Sequence, residues 1–77
     1  MKFKERDCVV LTHDLPVENI PAGDAGAAVH IHDGGVACEA GFVTLAGRTI
    51  AVATVEASNL RPVGKRDINH VRELATA

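Results

Sequence analysis

Gly34-Gly35 lies between two stretches of alternating character, and that arrangement constrains the fold more than any other feature of the chain. Two consecutive glycines supply the positive φ values that a tight hairpin turn requires. A two-residue connection sets Asp33 against Val36, His32 against Ala37, Ile31 against Cys38 and His30 against Glu39. The strand period of two then places Val29, Ile31, Cys38, Ala40 and Phe42 on one face, with His30, His32, Ala37 and Glu39 on the other. One face is apolar and the other polar, as a sheet covering a core demands.

The rest of the chain extends this pattern. Cys8–Thr12 reads as a first strand, Gly26–Asp33 as a second, Val36–Val43 as a third and Thr49–Val55 as a fourth. Residues 13–24 hold Pro16, Pro21, Asn19 and Gly23, which exclude a regular element and mark a long loop. Its apolar Leu15, Val17 and Ile20 suggest that the loop is pinned to the domain. Leu45-Ala46-Gly47-Arg48 carries a second hairpin turn, Glu56–Leu60 reads as a single helical turn, and Arg61-Pro62-Val63 is a short last strand confined by its proline to an edge. The expected fold is all-β: a small five-stranded SH3-like barrel over residues 1–63, with its first and last strands side by side. From Asp67, a candidate N-cap, Ile68, Val71, Leu74 and Ala75 fall at helical spacing, so residues 64–77 are expected to form a tail with a short C-terminal helix.

Seventy-seven residues allow one domain. The apolar fraction is 47%, but the chain has two Phe and neither Trp nor Tyr, so its core must be thin and self-association could supply burial. Net charge is −2. Its distribution is uneven, because between residues 7 and 60 Arg48 is the one base among seven acids. The ends carry Lys2, Lys4, Arg6, Arg61, Lys65, Arg66 and Arg72. If the ends meet, Lys2, Lys4, Arg6, Arg61, Lys65 and Arg66 form a basic patch. A charged N-terminal segment and the absence of an apolar run of about 18 residues argue against a signal peptide or a membrane span. A cytoplasmic protein with reduced Cys8 and Cys38, both acting as small core residues, is expected.

No catalytic machinery is recognisable. Thr12-His13-Asp14 offers suitable atoms, but triad members converge from separate parts of a chain, and Asp14 before Leu-Pro is a turn former. His30, His32 and Glu39 are the only candidate metal ligands; three groups on an open sheet face lack the closure of a structural site, so no metal and no cofactor is expected. Gly23-Asp24-Ala25-Gly26 opens into a strand and carries an acid, unlike a phosphate cradle. Nucleic-acid barrels combine a basic groove with aromatic platforms, which two Phe cannot supply.

The runs Asp7-Cys8-Val9-Val10-Leu11-Thr12-His13-Asp14-Leu15-Pro16, Ala22-Gly23-Asp24-Ala25-Gly26, Glu39-Ala40-Gly41-Phe42, Gly47-Arg48-Thr49 and Asn59-Leu60-Arg61-Pro62 together resemble domain-of-unknown-function family 4926, small bacterial proteins of SH3-like outline. The resemblance covers residues 3–63. Members are often encoded beside other small proteins in arrangements like toxin–antitoxin or immunity pairs, which implies a partner-binding role. Gly41 stands where the family usually has a second acid, and Cys38 and Ala40 are smaller than its usual strand residues. A looser likeness to KOW-type RNA-associated barrels covers residues 22–31 alone.

The expectation is therefore a non-enzymatic protein-interaction module, an antitoxin-like or immunity-like accessory protein with a co-encoded protein partner. Its candidate contacts are His13, Asp14, Leu15 and Pro16 of the loop and His30, His32 and Glu39 of the polar face. An RNA-associated barrel using the basic patch is the second reading, and a small subunit of a larger enzyme the third.

Overall fold

The computed structural model describes residues 4–74. Five strands follow one another: β1 (Cys8–Leu11), β2 (Ala25–His32), β3 (Ala37–Val43), β4 (Thr49–Glu56) and β5 (Leu60–Pro62). They form one antiparallel sheet in the order β4-β3-β2-β1-β5, curled into a small barrel-like domain with β1 between β2 and β5. The first and last strands do lie side by side, Val10 opposite Arg61 and Leu11 opposite Leu60.

The β2–β3 register sets His30 against Glu39, Ile31 against Cys38 and His32 against Ala37, as the alternation predicts. Asp33–Gly35 forms a 3-10 turn, with Gly34 and Gly35 at φ +66° and +108°. Asp33 and Val36 fall in this turn and do not pair. A second difference lies at the other end of the pair, where the register shifts between Ala28 and His30. Val29 is the extra residue of this bulge. It is half exposed, and Ala28 takes the core position that strict alternation assigns to Val29.

Inside the barrel lie Val9, Leu11, Ala28, Cys38, Ala40, Phe42, Ala53, Val55 and Leu60, joined by Ile20 from the loop. Small residues make this thin interior, and Phe42 is its largest fully buried side chain. β2 crosses β3 so closely that a Cβ on Gly26 would stand 2.7 Å from the Gly41 carbonyl oxygen and 2.9 Å from the Phe42 ring. Gly26 is therefore required by packing. The turn between β3 and β4 is closed by Thr44, whose N–H donates to the Arg48 carbonyl at 2.8 Å and whose Oγ1 accepts from the Arg48 N–H at 3.0 Å.

Two sequence expectations are corrected. Cys8 is exposed at the start of β1, whereas Cys38 is fully buried; only the second is a core residue. The C-terminal helix does not form over residues 67–74, which run without regular structure, and Ala75 lies outside the described residues. Asp67 caps no helix. Its Oδ2 accepts from the Gly64 N–H at 2.6 Å, closing a turn over residues 64–67, and its two oxygens receive the Arg61 guanidinium at 2.8 and 2.9 Å. Ile68 and Val71, the stripe a docked helix would bury, are exposed. A single stripe on about ten residues does not sustain a helix without a groove to receive it.

Candidate functional site

The loop between β1 and β2 is an ordered excursion with its own hydrogen-bond ladder. At its base, the Leu11 N–H donates to the Asp24 carbonyl at 2.9 Å and the Gly23 N–H to the Leu11 carbonyl at 2.8 Å. Further out, Leu15 and Ile20 exchange both of their backbone hydrogen bonds, at 2.7 and 3.1 Å. Pro16–Asn19 form the tip; Asn19 takes the left-handed conformation, and its N–H donates to the Pro16 carbonyl at 3.2 Å. The Asp14 carboxylate accepts from the Ala22 N–H at 2.7 Å, bracing one limb against the other.

Ile20 anchors this hairpin in the barrel core at 2% exposure, with Leu15 packed against it. Val17, at the tip, stands 92% exposed. The sequence reading of a pinned loop holds for Leu15 and Ile20 and fails for Val17. A tip residue on a tight turn points away from both limbs, and periodicity cannot show this in a segment that has none.

His13 and Asp14 do not form a relay. The His13 Nδ1 meets the Thr12 Oγ1 at 2.9 Å, and Asp14 braces Ala22 instead. Between Glu18–Ile20 of the loop, Ile50 of β4 and Arg72–Leu74 of the tail lies an open pocket of about 400 Å³. The tail reaches this place because the Arg72 guanidinium forks onto the Asp24 carboxylate at the loop's base, its Nε donating at 3.0 Å.

On the outer face of the sheet, His30 and His32 project from β2 with ring centroids 4.6 Å apart, edge to face. Their carboxylate neighbours differ: His30 Nδ1 stands 3.5 Å from Glu5 and His32 Nε2 stands 3.9 Å from Glu39. The backbone register faces His30 with Glu39, yet the side-chain contact is diagonal. These groups stand as two separate pairs, and among the described residues no three His, Cys, Asp or Glu side chains converge as metal ligands would.

The basic patch is only partly assembled. Lys2 lies outside the described residues. The Arg6 N–H donates to the Ala28 carbonyl, which turns the N-terminal segment toward β2, on the side of β1 away from β5. Lys4, Arg6, Lys65 and Arg66 are exposed, whereas Arg61 and Arg72 are engaged by Asp67 and Asp24. Arg61 and the Gly64 N–H hold the Asp67 carboxyl at about 2, well below the usual carboxylate range. Burial pushes the Cys38 thiol up.

The sequence profile of the family described as Domain of unknown function (DUF4926) matches residues 5–62, from the turn before β1 to the last residue of β5. The chain belongs to this family. Its match spans the whole barrel and the 12–24 loop and ends at Pro62, before the turn over residues 64–67 and before Arg72. No curated protein and no solved structure matches the chain significantly. Among the described residues, no helix is long and apolar enough to cross a membrane.

Proposed function

We propose that this DUF4926 protein is a non-catalytic protein-interaction module, an accessory protein of the antitoxin or immunity kind, whose primary contact surface is the loop over residues 12–24. One observation carries this reading: Val17 is held almost wholly in solvent by a loop that is itself hydrogen-bonded and anchored in the core through Ile20. A preformed loop loses little conformational entropy when it docks, so the area buried at its tip converts efficiently into affinity. Val17 is the apolar anchor, Pro16 stiffens its approach, and His13 and Glu18 form a polar rim of the kind that surrounds such anchors. The perturbed ionisable groups support the same view, because Asp67, Arg61 and Arg72 fasten the tail and Cys38 is a core thiol. The partner is a co-encoded protein, and the setting is the cytoplasm, where the unpaired Cys8 and Cys38 stay reduced.

The test is a pull-down at high salt with tagged full-length protein, from cells that also express the neighbouring genes. The wild type recovers one co-encoded protein, and Val17→Glu loses it while melting at the wild-type temperature. Retention on heparin that collapses with salt, with RNA recovered and then lost on Lys65→Glu/Arg66→Glu, would replace this reading with that of an RNA-associated barrel.

A further inference from the structure

The end of the tail lies against the barrel where the 12–24 loop meets the start of β4, and the residues there have the make-up of a peptide groove. Ile20 of the loop is a core residue and Ile50 of β4 packs against the core. The open pocket of about 400 Å³ lies between them and Arg72–Leu74. Leu74 is 42% exposed, against 89% for Ile68 and 68% for Val71 earlier in the tail. Close by, the Arg72 Nε donates to the Asp24 Oδ1 at 3.0 Å and its Nη2 donates to Oδ2. Among the described residues this is the most enclosed ion pair, its side chains 32% and 21% exposed.

We propose that this groove docks an arginine-bearing peptide segment of the protein partner, and that Arg72–Leu74 is a built-in occupant which that segment displaces. This partner chemistry rests on the reading of the chain as a protein-interaction module. The tail itself shows what the groove takes: a guanidinium on the Asp24 carboxylate and, two residues on, an apolar side chain beside Ile20 and Ile50. Two N–H groups of one planar fork meet two carboxylate oxygens, a match that the compact ammonium of lysine does not reproduce.

Charge points to the same occupant. With the tail displaced, the barrel and loop contribute Glu18 and Asp24 beside Asn19, Ile20 and Ile50, two acids and no base. Between residues 7 and 60 the acids outnumber Arg48 by seven to one, so the surrounding field favours a cationic segment over an acidic one. Val17 of the loop tip directly precedes Glu18, so one partner can cover the tip and enter the groove.

The tail is fastened weakly enough to yield. Even its most enclosed ion pair remains accessible to water, so salt screens it, and Ile68 and Val71 stand in solvent between the two fastenings. What favours the tail is proximity. Arg72 follows Pro62 by ten residues, and so short a tether holds it at an effective concentration on the order of mM. A partner that also buries Val17 overcomes this competition, whereas a bare peptide meets it in full.

Full-length Arg72→Ala/Leu74→Ser protein, in which the groove is freed, is titrated by NMR with an acetylated and amidated peptide of residues 68–74. Saturable shifts are expected at the Ile20, Asp24 and Ile50 amides, and the wild type binds the peptide roughly threefold or more weakly because its own tail competes. The peptide carrying Arg72→Lys or Arg72→Ala loses most of this binding, as does the freed protein with Asp24→Asn added, at an unchanged melting temperature. In a pull-down at physiological salt, the freed protein recovers roughly threefold more of the co-encoded protein than the wild type does. No saturable shift in the freed protein, equal binding by the wild type, or a peptide indifferent to Arg72→Lys would overturn the groove, even where the partner is recovered. Peptide binding with no co-encoded protein recovered would instead overturn the accessory-protein reading and the assigned occupant with it, as equal recovery by the two proteins would overturn the occupant alone. A wild-type dimer that is lost in the freed protein would give the groove to the tail of a second copy and overturn the assignment to a partner.

Discussion

The guanidinium of Arg72 grips the carboxylate of Asp24 across 48 residues of sequence. Asp24 sits at the root of the 12–24 loop, where its own carbonyl accepts from the Leu11 N–H. One acidic residue thus ties the loop's base to β1 through its backbone and to the tail through its side chain. The tail owes its course to this pair, because its apolar Ile68 and Val71 contact little.

Arg72→Ala should therefore release the tail and leave the barrel intact. Limited proteolysis should cut faster within residues 68–74, while the thermal midpoint stays near that of the wild type, since the pair is solvent-accessible and screened.

The turn over residues 64–67 should open in acid. The Asp67 carboxyl is lowered from 3.8 to about 2 by its bonds to Arg61 and the Gly64 N–H. A depressed carboxylate contributes stability that is complete above its unfolded value and lost as pH falls through the folded one, so the loss runs from about pH 4 to about pH 2. An NMR titration should show the Gly64 amide and the Asp67 carboxyl moving together with a midpoint near 2. In Arg61→Gln the midpoint should rise toward the ordinary carboxylate range.

Gly26→Ala should destabilise the barrel although it adds one methyl group. That methyl meets the Gly41 carbonyl and the Phe42 ring at less than contact distance, and both are held by the sheet. A loss of about 1–3 kcal/mol is expected, read as a lower midpoint in urea unfolding with an unchanged slope.

The two thiols should behave differently. Cys8 is exposed and Cys38 is buried, with its thiol pushed up by desolvation. A thiol reagent at neutral pH should label one cysteine per chain promptly and the second only with unfolding. In Cys8→Ser the prompt labelling should vanish.

These contrasts show how far the residues alone reach. Gly34-Gly35 and the alternation around it were enough for the β2–β3 register, because a slip by one residue would have exposed Cys38 and Phe42. Val29 was misplaced because a bulge adds a residue without altering composition. Cys8 lies in an apolar run yet points outward, since it opens β1 before the core begins. The tail shows the limit of periodicity: Ile68, Val71 and Leu74 have helical spacing, but side-chain partners, Arg61 six residues before Asp67 and Asp24 far from Arg72, decide their course. Of the candidate site, the loop and its anchors were legible from Pro16, Pro21, Leu15 and Ile20. The exposure of Val17 and the separate pairing of His30 and His32 depend on side-chain directions that spacing does not encode.

The central claim is that the 12–24 loop is rigid before any partner arrives, and backbone 15N relaxation on the free protein measures this directly. Amides from Leu15 to Ala22 should have order parameters near those of β2 and β3, about 0.85. Values below about 0.6 at Val17–Asn19 would show a loop that must be ordered on binding, and would contradict the account.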